Sequence, residues 1–522
     1  MCYNLERLGK GVYKMKIRKN KTDYNNKTGL KHVLLKALAL SLFMGMALNM
    51  SIAVKAAEET TAPEQQTTKT ENTTVPATKN KGIAIDKNIF PDSKLRKKVK
   101  SYDKNKNGYL EKVENKKIKE ICLENIKKLN GINYLSYLKT LEIYSDKIKK
   151  IELSNNKKLK KLLIDGTKVK KIKLGKRPKL KKLYVYYTAC KTIDLGGCNN
   201  LKYIKMDHNS FTNLSIKNKN KLISATVREG RLKKIEFSNC PKLEDVDCSC
   251  NKIKAAKIKK CKKLEIIDLS YNKLKKIKAT KDVEDLDLSH NKLSKVTVPK
   301  KNKLRYLSLS HNNLKKINVK RCKKLTFLKL GRNNLKSINV TKNKKLEELY
   351  VGKNNLNKIN VTKNKKLEAL SCNHNNIKRI NVSKNKELSR LNCSRNKITD
   401  LDVSKNKDLW LFECENNKIT KLDVTYNKRL DYLYCAHNKI STLDLSKNKK
   451  LNNVYCSHNR LNSISLPKVK GGMETIDVSY NKNLRNIDLK CSVEYLHIYK
   501  TNIKFLKNKF FEVVYNYKYS YE

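Results

Sequence analysis

Apolar residues recur along this chain with a period of 21 positions. The segment from Leu325 to Lys345 reads LTFLKLGRNNLKSINVTKNKK, and the next 21 residues read LEELYVGKNNLNKINVTKNKK. Within each repeat, apolar residues fall at positions 1, 4, 6, 11, 14 and 16. A strict period of this length predicts a solenoid, in which each repeat buries its apolar residues only against its neighbours. The repeats begin at residues 138, 159, 180, 201, 222, 243, 264, 283, 304, 325, 346, 367, 388, 409, 430, 451, 473 and 493.

Each repeat consists of two similar halves of 10 and 11 residues. The first half follows LxxLxCxxNx, with leucine in place of cysteine in many copies, and the second follows IxxIxVxxNxx. The second half is short and rich in lysine and asparagine, so we expect it to be extended or strand-like rather than helical. Parallel strands stacked one per repeat would lie about 4.8 Å apart. Steps between repeats that differ from 21 residues are expected to form local bulges or loops.

The first half resembles the leucine-rich-repeat signature LxxLxLxxN, and residues 138–492 are similar to the nested repeats of bacterial internalin-like surface proteins. This resemblance implies a β-rich solenoid, a right-handed leucine-rich-repeat coil of short parallel strands with a small helical N-terminal cap. It also implies a protein that presents a long surface for binding.

Position 9 carries asparagine in many successive repeats. An asparagine at a turn can hydrogen bond the backbone and stack with its neighbours, so we interpret this column as structural. The repeats that begin at 138, 159, 180 and 222 lack the asparagine and are expected to be less regular. The column consists of Asn251, Asn272, Asn291, Asn312, Asn333, Asn354, Asn375, Asn396, Asn417, Asn438 and Asn459.

Ten of the 15 cysteines follow two columns of the repeat rather than a disulfide pattern. Because position 6 is leucine or valine in other repeats and position 19 is a second inward column, shared with Asn343, Asn364 and Asn385, we predict buried, reduced thiols. Disulfides and a metal site are the alternatives, but in-register parallel strands would strain a disulfide. Position 6 holds Cys248, Cys372, Cys393, Cys414, Cys435 and Cys456. Position 19, a second inward column, holds Cys198, Cys240, Cys261 and Cys322.

The two ends of the chain differ from the repeats. Residues 1–56 have the layout of a secretory signal peptide, with basic residues, an apolar run from Ala37 to Val54 and small residues before Ala57. An uncleaved membrane anchor is the alternative. Residues 57–82 predict a disordered, Thr-rich spacer, residues 83–137 an N-terminal cap, and residues 493–522 a last repeat and C-terminal cap. The predicted location is secreted or in the cell envelope, on the extracellular side.

The N-terminal cap contains a calcium-loop pattern between residues 103 and 114, DKNKNGYLEKVE. Side-chain oxygens at alternate positions, a backbone carbonyl and a final glutamate would supply the oxygens that Ca²⁺ requires, and Gly108 permits the sharp turn. We predict a weak, structural calcium site that resembles an EF-hand loop; a metal-free turn is the alternative. Its ligands would be Asp103, Asn105, Asn107, Tyr109, Glu111 and Glu114.

The chain carries 119 Lys plus Arg against 48 Asp plus Glu, a formal net charge of +71. Such a charge attracts polyanions, which outside a cell include wall polymers, anionic lipids and acidic glycans. Most of the basic residues are lysines, which lack the bidentate fork of arginine, so sequence-specific binding of nucleic acid is not expected. The predicted partners are an anionic wall polymer, a surface glycan or a surface protein. Membrane contact is expected only through the signal or anchor segment.

No nucleophile elbow, HExxH motif or phosphate-binding loop occurs in the sequence, and we predict that the chain is not an enzyme. Six of the eight histidines share repeat position 8, whereas catalysis needs unlike groups that converge on one place. Adjacent histidine pairs, such as His290 with His311, are a candidate for metal binding. Exposure at a turn is the simpler interpretation.

Aromatic residues become frequent on the predicted strands of the later repeats. Exposed rings among lysines can stack on sugars while ammonium groups hold an anion, although the strand preference of tyrosine also explains them. The candidate ligand-binding residues are Tyr306, Phe327, Tyr350, Trp410, Tyr432, Tyr434 and Tyr455.

These features lead to one main hypothesis and two alternatives. The main hypothesis is a secreted, non-enzymatic protein whose leucine-rich-repeat surface binds anionic cell-envelope polymers or surface glycans. The first alternative is an internalin-like adhesin that binds a host or neighbour protein, and the second is a wall-associated structural scaffold.

Overall fold

The computed structural model describes residues 4–7, 13–16, 82–277, 282–298 and 303–507. The chain forms two compact units, Met1–Thr78 and Lys79–Glu522. In the first unit, Asn4–Arg7 pairs antiparallel with Tyr13–Lys16. The rest of the predicted signal peptide, the predicted spacer up to residue 81 and the Tyr-rich segment after residue 507 lie outside the described residues.

One long parallel sheet, the main sheet, runs through the second unit. Each of its strands pairs with the equivalent strand of the next repeat, as Leu328 does with Leu349. Its strands are Glu120–Glu124, Thr140–Tyr144, Lys161–Asp165, Lys182–Tyr186, Tyr203–Lys205, Ser224–Thr226, Asp245–Asp247, Ile266–Asp268, Asp285–Asp287, Tyr306–Ser308, Phe327–Lys329, Glu348–Tyr350, Ala369–Ser371, Arg390–Asn392, Leu411–Glu413, Tyr432–Tyr434, Asn453–Tyr455, Met473–Asp477 and Val493–His497.

The core lies between the main sheet and the second half of each repeat. In the repeat that starts at residue 325, Leu328 and Leu330 of the strand are fully buried, and so are Leu335 and Val340 of the second half. The same positions are buried in repeat after repeat, which forms one continuous apolar core. The predicted fold class, a β-solenoid of short parallel strands, is therefore confirmed.

The second half of each repeat is extended, as predicted, and in places it forms strands. Between residues 303 and 440 the described second halves contain no strand. Elsewhere three short parallel sheets form. They consist of Lys171–Lys173 with Thr192–Asp194; of Asn213–Lys217, Lys234–Ser238 and Ala255–Lys259; and of Thr442–Asp444, Ser463–Ser465, Asn486–Asp488 and Phe505–Lys507.

Two short helices and a small antiparallel ladder precede the repeats. The helices are α1 (Ser93–Lys100) and α2 (Lys112–Lys117), and a 3₁₀ turn covers Ile132–Tyr134. Ile83–Ala84 pairs with Tyr109–Leu110 in the ladder. Leu95 and Val99 of α1 are fully buried, so the helix is fixed by its apolar face.

Asp92 determines where α1 begins. Its Oδ1 accepts the backbone N–H groups of Lys94 and Leu95, at 3.0 and 3.2 Å, and its Oδ2 accepts that of Lys127 at 2.7 Å. Burial opposes ionisation, but these backbone donors outweigh it and lower the pKa of Asp92 below its ordinary value. One carboxylate therefore caps the helix and holds it against the backbone that follows Glu120–Glu124, the first strand of the main sheet.

The position-9 asparagines join neighbouring repeats through the backbone. Asn396 donates its Nδ2 to the carbonyl oxygens of Cys393 in its own repeat (2.9 Å) and Cys372 in the preceding repeat (3.1 Å). Its Oδ1 accepts the N–H of Ile377 at 3.0 Å. The same set of bonds recurs in successive repeats from Asn251 to Asn459, so the column is structural, although its amides bond the backbone rather than one another.

The fourteen described cysteines are free thiols. Those at position 6 are fully buried in the core, where burial raises the pKa of Cys372 to about 12. A thiol with such a pKa stays protonated at neutral pH, when it is a poor nucleophile and a poor metal ligand. These residues therefore act as small apolar side chains.

Candidate binding surfaces

The outward side chains of the main sheet, at repeat positions 2, 3, 5 and 7, form a surface that we call the sheet face. On it, Tyr306 stacks on Phe327 with ring centroids 4.7 Å apart, and Phe327 lies 5.7 Å from Tyr350. The ammonium group of Lys329 lies over Phe327 at 4.8 Å and over Tyr350 at 5.4 Å. These three rings, the first aromatic cluster, therefore already hold a cation by cation–π contact.

The other four predicted aromatic residues form a second aromatic cluster on the same face. Tyr434 and Tyr455 stack with centroids 4.9 Å apart and rings 3° from parallel. Trp410 meets Tyr432 edge to face at 6.2 Å and is 38% exposed. Burial and the neighbouring Tyr455 raise the pKa of Tyr434 to about 12. The repeats that start at 367 and 388 separate the two clusters.

A row of three carboxylates crosses the sheet face beside the first aromatic cluster. Asp247, Asp268 and Asp287 occupy position 5 of three successive strands and are paired in register. Burial, together with the charges of Asp247 and Asp287, raises the pKa of Asp268 to about 7. We call these three residues the carboxylate row.

The charge on the sheet face differs sharply from that of the whole chain. From residue 243 to residue 479, positions 2, 3, 5 and 7 carry one lysine, Lys329, and two arginines, Arg305 and Arg390. The expectation that the aromatic residues lie among lysines was therefore wrong for this part of the sheet. The carboxylates at these positions are Glu244, Asp245, Asp247, Glu265, Asp268, Glu284, Asp285, Asp287, Glu347, Glu348, Glu368, Glu413, Glu415, Asp431, Glu474 and Asp477.

Residues at repeat position 8 lie at the turn after each strand, and where neighbouring repeats carry histidine or tyrosine there, the rings stack. From Gly166 onward each adopts a left-handed backbone conformation, with φ of 53° at His290 and 56° at His311. These two rings stack at 3.8 Å, and Tyr271 stacks on His290 at 3.9 Å. Burial lowers the pKa of both histidines. The predicted exposed turn is therefore a partly buried ring stack, in which parallel rings do not converge on a metal.

The second halves of the first two repeats enclose a shallow groove of about 1310 Å³, which we call the lysine groove. Its one acidic residue, Glu152, pairs with Lys150 at 2.7 Å. Apolar atoms of Ile151 and Leu153 lie at its base. The basic residues that line it are Lys149, Lys150, Lys157, Lys168, Lys170, Lys171, Lys173, Lys176 and Arg177.

The predicted calcium loop connects α1 to α2. Asp103 is 6% exposed and accepts the backbone N–H groups of Asn107 and Gly108, at 3.2 and 3.0 Å. Glu114 is also 6% exposed, and it accepts the N–H groups of Lys104 at 2.7 Å and Glu111 at 3.1 Å. The N–H bond from Glu111 also caps α2, because Glu114 lies in the first turn of that helix.

The residues of this loop carry the oxygen ligands that calcium prefers, carboxylates and amides. Neither Asp103 nor Glu114 forms an ion pair with a described residue, so two buried carboxylates lack a cationic partner. The Nδ2 groups of Asn105 and Asn107 point at Glu111 Oε1, at 3.3 and 3.0 Å. These amides would have to turn to offer oxygen. In this conformation the described residues contain no group of three His, Cys, Asp or Glu side chains gathered around one metal position.

Solved structures with the same architecture exist at low sequence identity. YopM from Yersinia enterocolitica is 19% identical, with 79% of this chain and 97% of YopM covered and a TM-score of 0.54. A leucine-rich-repeat protein of Leptospira interrogans is 22% identical, with 75% and 92% covered and a TM-score of 0.50. The chain has the fold of a leucine-rich-repeat solenoid. A further similar structure, the functional domain of InlJ from Listeria monocytogenes, which includes a cysteine ladder, gives 22% identity, 80% and 77% coverage and a TM-score of 0.48.

At these identities the likeness of the solenoid to other proteins establishes the fold and nothing finer. The sequence matches no model of a known protein family and no curated protein. In the part of the chain that the structure describes, no helix has the length and apolarity needed to cross a membrane.

All seven candidate aromatic residues lie on one face of the solenoid, but their acidic surroundings were not predicted from the sequence. The signal was present, because aspartate occupies position 5 in the three successive repeats that start at 243, 264 and 283. The high lysine content of the whole chain obscured this acidic pattern, because the lysines lie mainly in the second half of each repeat. The net charge of the whole chain therefore does not describe the charge of the sheet face.

Proposed function

We propose that this solenoid is a secreted, non-enzymatic binding protein that is held at the cell envelope by an anionic polymer or glycan in its lysine groove. The observation that supports this most is the lining of the groove, which contains eight lysines and a single glutamate. Its one arginine, Arg177, is buried and donates to the backbone carbonyl of Leu153. Of these lysines only Lys150 forms an ion pair with a described residue. The other ammonium groups are available to phosphate, carboxylate or sulfate groups of a polymer.

The geometry of the groove fits an extended polyanion. Its basic residues come from two successive repeats, so they form two rows that lie one strand spacing, about 4.8 Å, apart along the solenoid. Charges on exposed lysines act over about 8–10 Å at physiological salt, and several together hold a repeating anion without a rigid pocket. Such binding requires position and charge but no reaction.

The test is binding of the chain from Ala57, the predicted start of the mature protein and here called the mature chain, to purified wall teichoic acid over a series of salt concentrations. We expect binding that weakens as salt rises. The variant K168Q/K170Q/K171Q should lose about fivefold in affinity, because three exposed ion pairs contribute about 1 kcal/mol together.

Two variants serve as controls for this test. K342Q/K344Q/K345Q removes three exposed lysines far from the groove, and Trp410→Ala alters the sheet face. Both should bind teichoic acid nearly as well as the unaltered chain. Equal losses in the two lysine variants would show attraction to net charge without a site, and no binding at low salt would contradict the proposal.

We also propose that the loop between Asp103 and Glu114 binds Ca²⁺ weakly and so stabilises the N-terminal cap. The support is the pair of buried carboxylates, Asp103 and Glu114, that have no described cationic partner. Bound calcium would supply that positive charge. The affinity should lie in the range of extracellular sites, about 10⁻⁴–10⁻³ M, because two ligands are neutral amides and the surroundings are basic.

Titration calorimetry of the mature chain with CaCl₂ tests this site. We expect one weak binding event that Glu114→Gln removes, because a neutral amide cannot replace the bidentate carboxylate. Glu124→Gln, an exposed change of equal charge outside the loop, should leave it intact. Calcium binding that survives in Glu114→Gln would place the ion elsewhere.

A further inference from the structure

Binding of a polyanion in the lysine groove gives no function to the acidic part of the sheet face, between residues 243 and 479. The chain has a net charge of +71, yet the carboxylate row lies on successive strands with no lysine beside it. Like charges on neighbouring strands are unfavourable. Here they are paired in register, and after burial, the charges of Asp247 and Asp287 are what raises the pKa of Asp268. A ligand with positive charge would relieve this repulsion.

The sheet face already binds the cations that the chain itself places there. The ammonium of Lys329 lies over Phe327 and Tyr350. The guanidinium of Arg228 meets Asp207 at 2.9 Å and Asp247 at 3.8 Å. These contacts show which chemistry the surface accepts: ammonium groups over its rings and guanidinium groups against its carboxylates.

The arrangement also has the length of a polypeptide segment. Position 5 carries the carboxylate row in three repeats, and the next three strands bring the first aromatic cluster beside it. Five strand spacings cover about 24 Å, which is the length of about seven residues of extended chain. A small cation would use only one end of such a surface.

From these observations we propose that the sheet face from Asp245 to Tyr350 binds a lysine- or arginine-rich segment of a partner protein. The carboxylate row would hold basic side chains, and the first aromatic cluster would take an ammonium group or an apolar neighbour of one. This surface is separate from the lysine groove and independent of the polyanion proposal, because the two attract ligands of opposite charge.

Octalysine, acetylated and labelled at its N-terminus, is the probe, and the full mature chain is the receptor. A protein with such a positive net charge repels this peptide at long range, so binding requires a local acidic surface. We expect octalysine to bind at low salt, as measured by fluorescence anisotropy. An octaglutamate control should not bind to this face. The variant D247N/D268N/D287N should lose about tenfold in affinity for octalysine.

The matched control is D402N/D423N/D444N, which raises the net charge by the same amount away from the sheet face. These aspartates are exposed and cap turns through Ser404, Thr425 and Ser446, and asparagine already has that role at residues 339, 360 and 381. The control should bind octalysine almost as well as the unaltered chain. Thermal unfolding of each variant confirms that it is folded.

Three results would overturn the inference. The first is no binding of octalysine at low salt, and the second is an equal loss of affinity in the two triple variants. The third is self-association of the mature chain in sedimentation that D247N/D268N/D287N abolishes, because the occupant would then be the lysine-rich surface of a second copy. Teichoic acid binding should be unchanged in D247N/D268N/D287N, so failure of this inference is distinguishable from failure of the polyanion proposal.

Discussion

Replacing Asn396 with alanine is expected to lower the free energy of unfolding by about 3 kcal/mol. The substitution leaves the buried N–H of Ile377 without an acceptor, because this N–H donates to Asn396 Oδ1 at 3.0 Å. It also removes the Nδ2 bonds to Cys372 and Cys393. An unsatisfied buried donor costs about 1–3 kcal/mol and each lost hydrogen bond about 0.5–1.5 kcal/mol, so the sum is large for one side chain.

The measurement is guanidinium unfolding of the mature chain, followed by far-ultraviolet circular dichroism. Asn381→Ala is the control, because this exposed asparagine accepts only from the N–H and Oγ of Ser383, at 3.0 and 2.8 Å. Water can replace those bonds, so the control should cost at most about 1 kcal/mol. Equal effects of the two substitutions would mean that the position-9 column does not hold the repeats together.

Replacing Asp268 with asparagine is expected to stabilise the chain by about 2 kcal/mol near pH 8. In the folded chain, burial and the charges of Asp247 and Asp287 raise the pKa of Asp268 from its ordinary value of 3.8 to about 7. A pKa shift of about three units corresponds to about 4 kcal/mol of folding free energy for a fully buried group. We expect about half of that free energy for Asp268, because its side chain is partly exposed to water.

The sign of the pH dependence follows from this shift. Between the unfolded and folded pKa values the folded chain binds the extra proton, so its stability falls as pH rises from about 4 to about 7. The amide of asparagine cannot ionise, and its oxygen can still accept the N–H of Ser270, at 2.9 Å in the parent. The advantage of the variant should therefore shrink below pH 7 and vanish near pH 4.

Denaturant unfolding at several pH values, with Asp402→Asn as the control, measures this effect. The backbone N–H of Ser404 lowers the pKa of Asp402, so ionisation of Asp402 stabilises the fold and its neutralisation should not help at any pH. An Asp268→Asn variant that is no more stable than the parent near pH 8 would contradict the repulsion within the carboxylate row. That result would also weaken the argument for a cationic partner.

The carboxylate row connects stability with binding. A surface that keeps like charges together at a cost in folding free energy is more stable once a partner neutralises them, and a partner that binds only the folded chain stabilises it by mass action. The same substitution therefore affects two readouts in opposite directions: it should raise stability and, within the triple variant, weaken binding of a basic peptide.

The fold could be predicted from the sequence because a solenoid is nearly one-dimensional. Each repeat contacts only its neighbours, so the period fixes which residues are stacked, and apolar positions such as Leu328 and Val340 must then face inward. The structural role of the asparagine column could be predicted for the same reason, because each asparagine bonds only the backbone of its own turn and of a neighbouring repeat. The pattern from Asp103 to Glu114 is also local and can be recognised in the sequence, and calcium binding there stays a prediction.

What only the tertiary structure decided depends on register between repeats and on the direction of side chains. The step from residue 264 to 283 is two residues short, yet Asp268 still pairs with Asp287. The shortening lies in the second half, where Leu274 donates to Asn291 across 17 residues instead of 19. Only this register places the three aspartates in one row.

The separation of charge likewise needed the fold. Composition gives one number for the whole chain, whereas from residue 243 to residue 479 the strands place mainly carboxylates on the sheet face and the second halves of the repeats carry most of the lysines. Lysines of the second half and carboxylates of the strands are close in sequence, but the solenoid separates them in space. The sequence therefore determined the architecture of this protein by itself, while the chemistry of its surfaces followed from how the repeats stack.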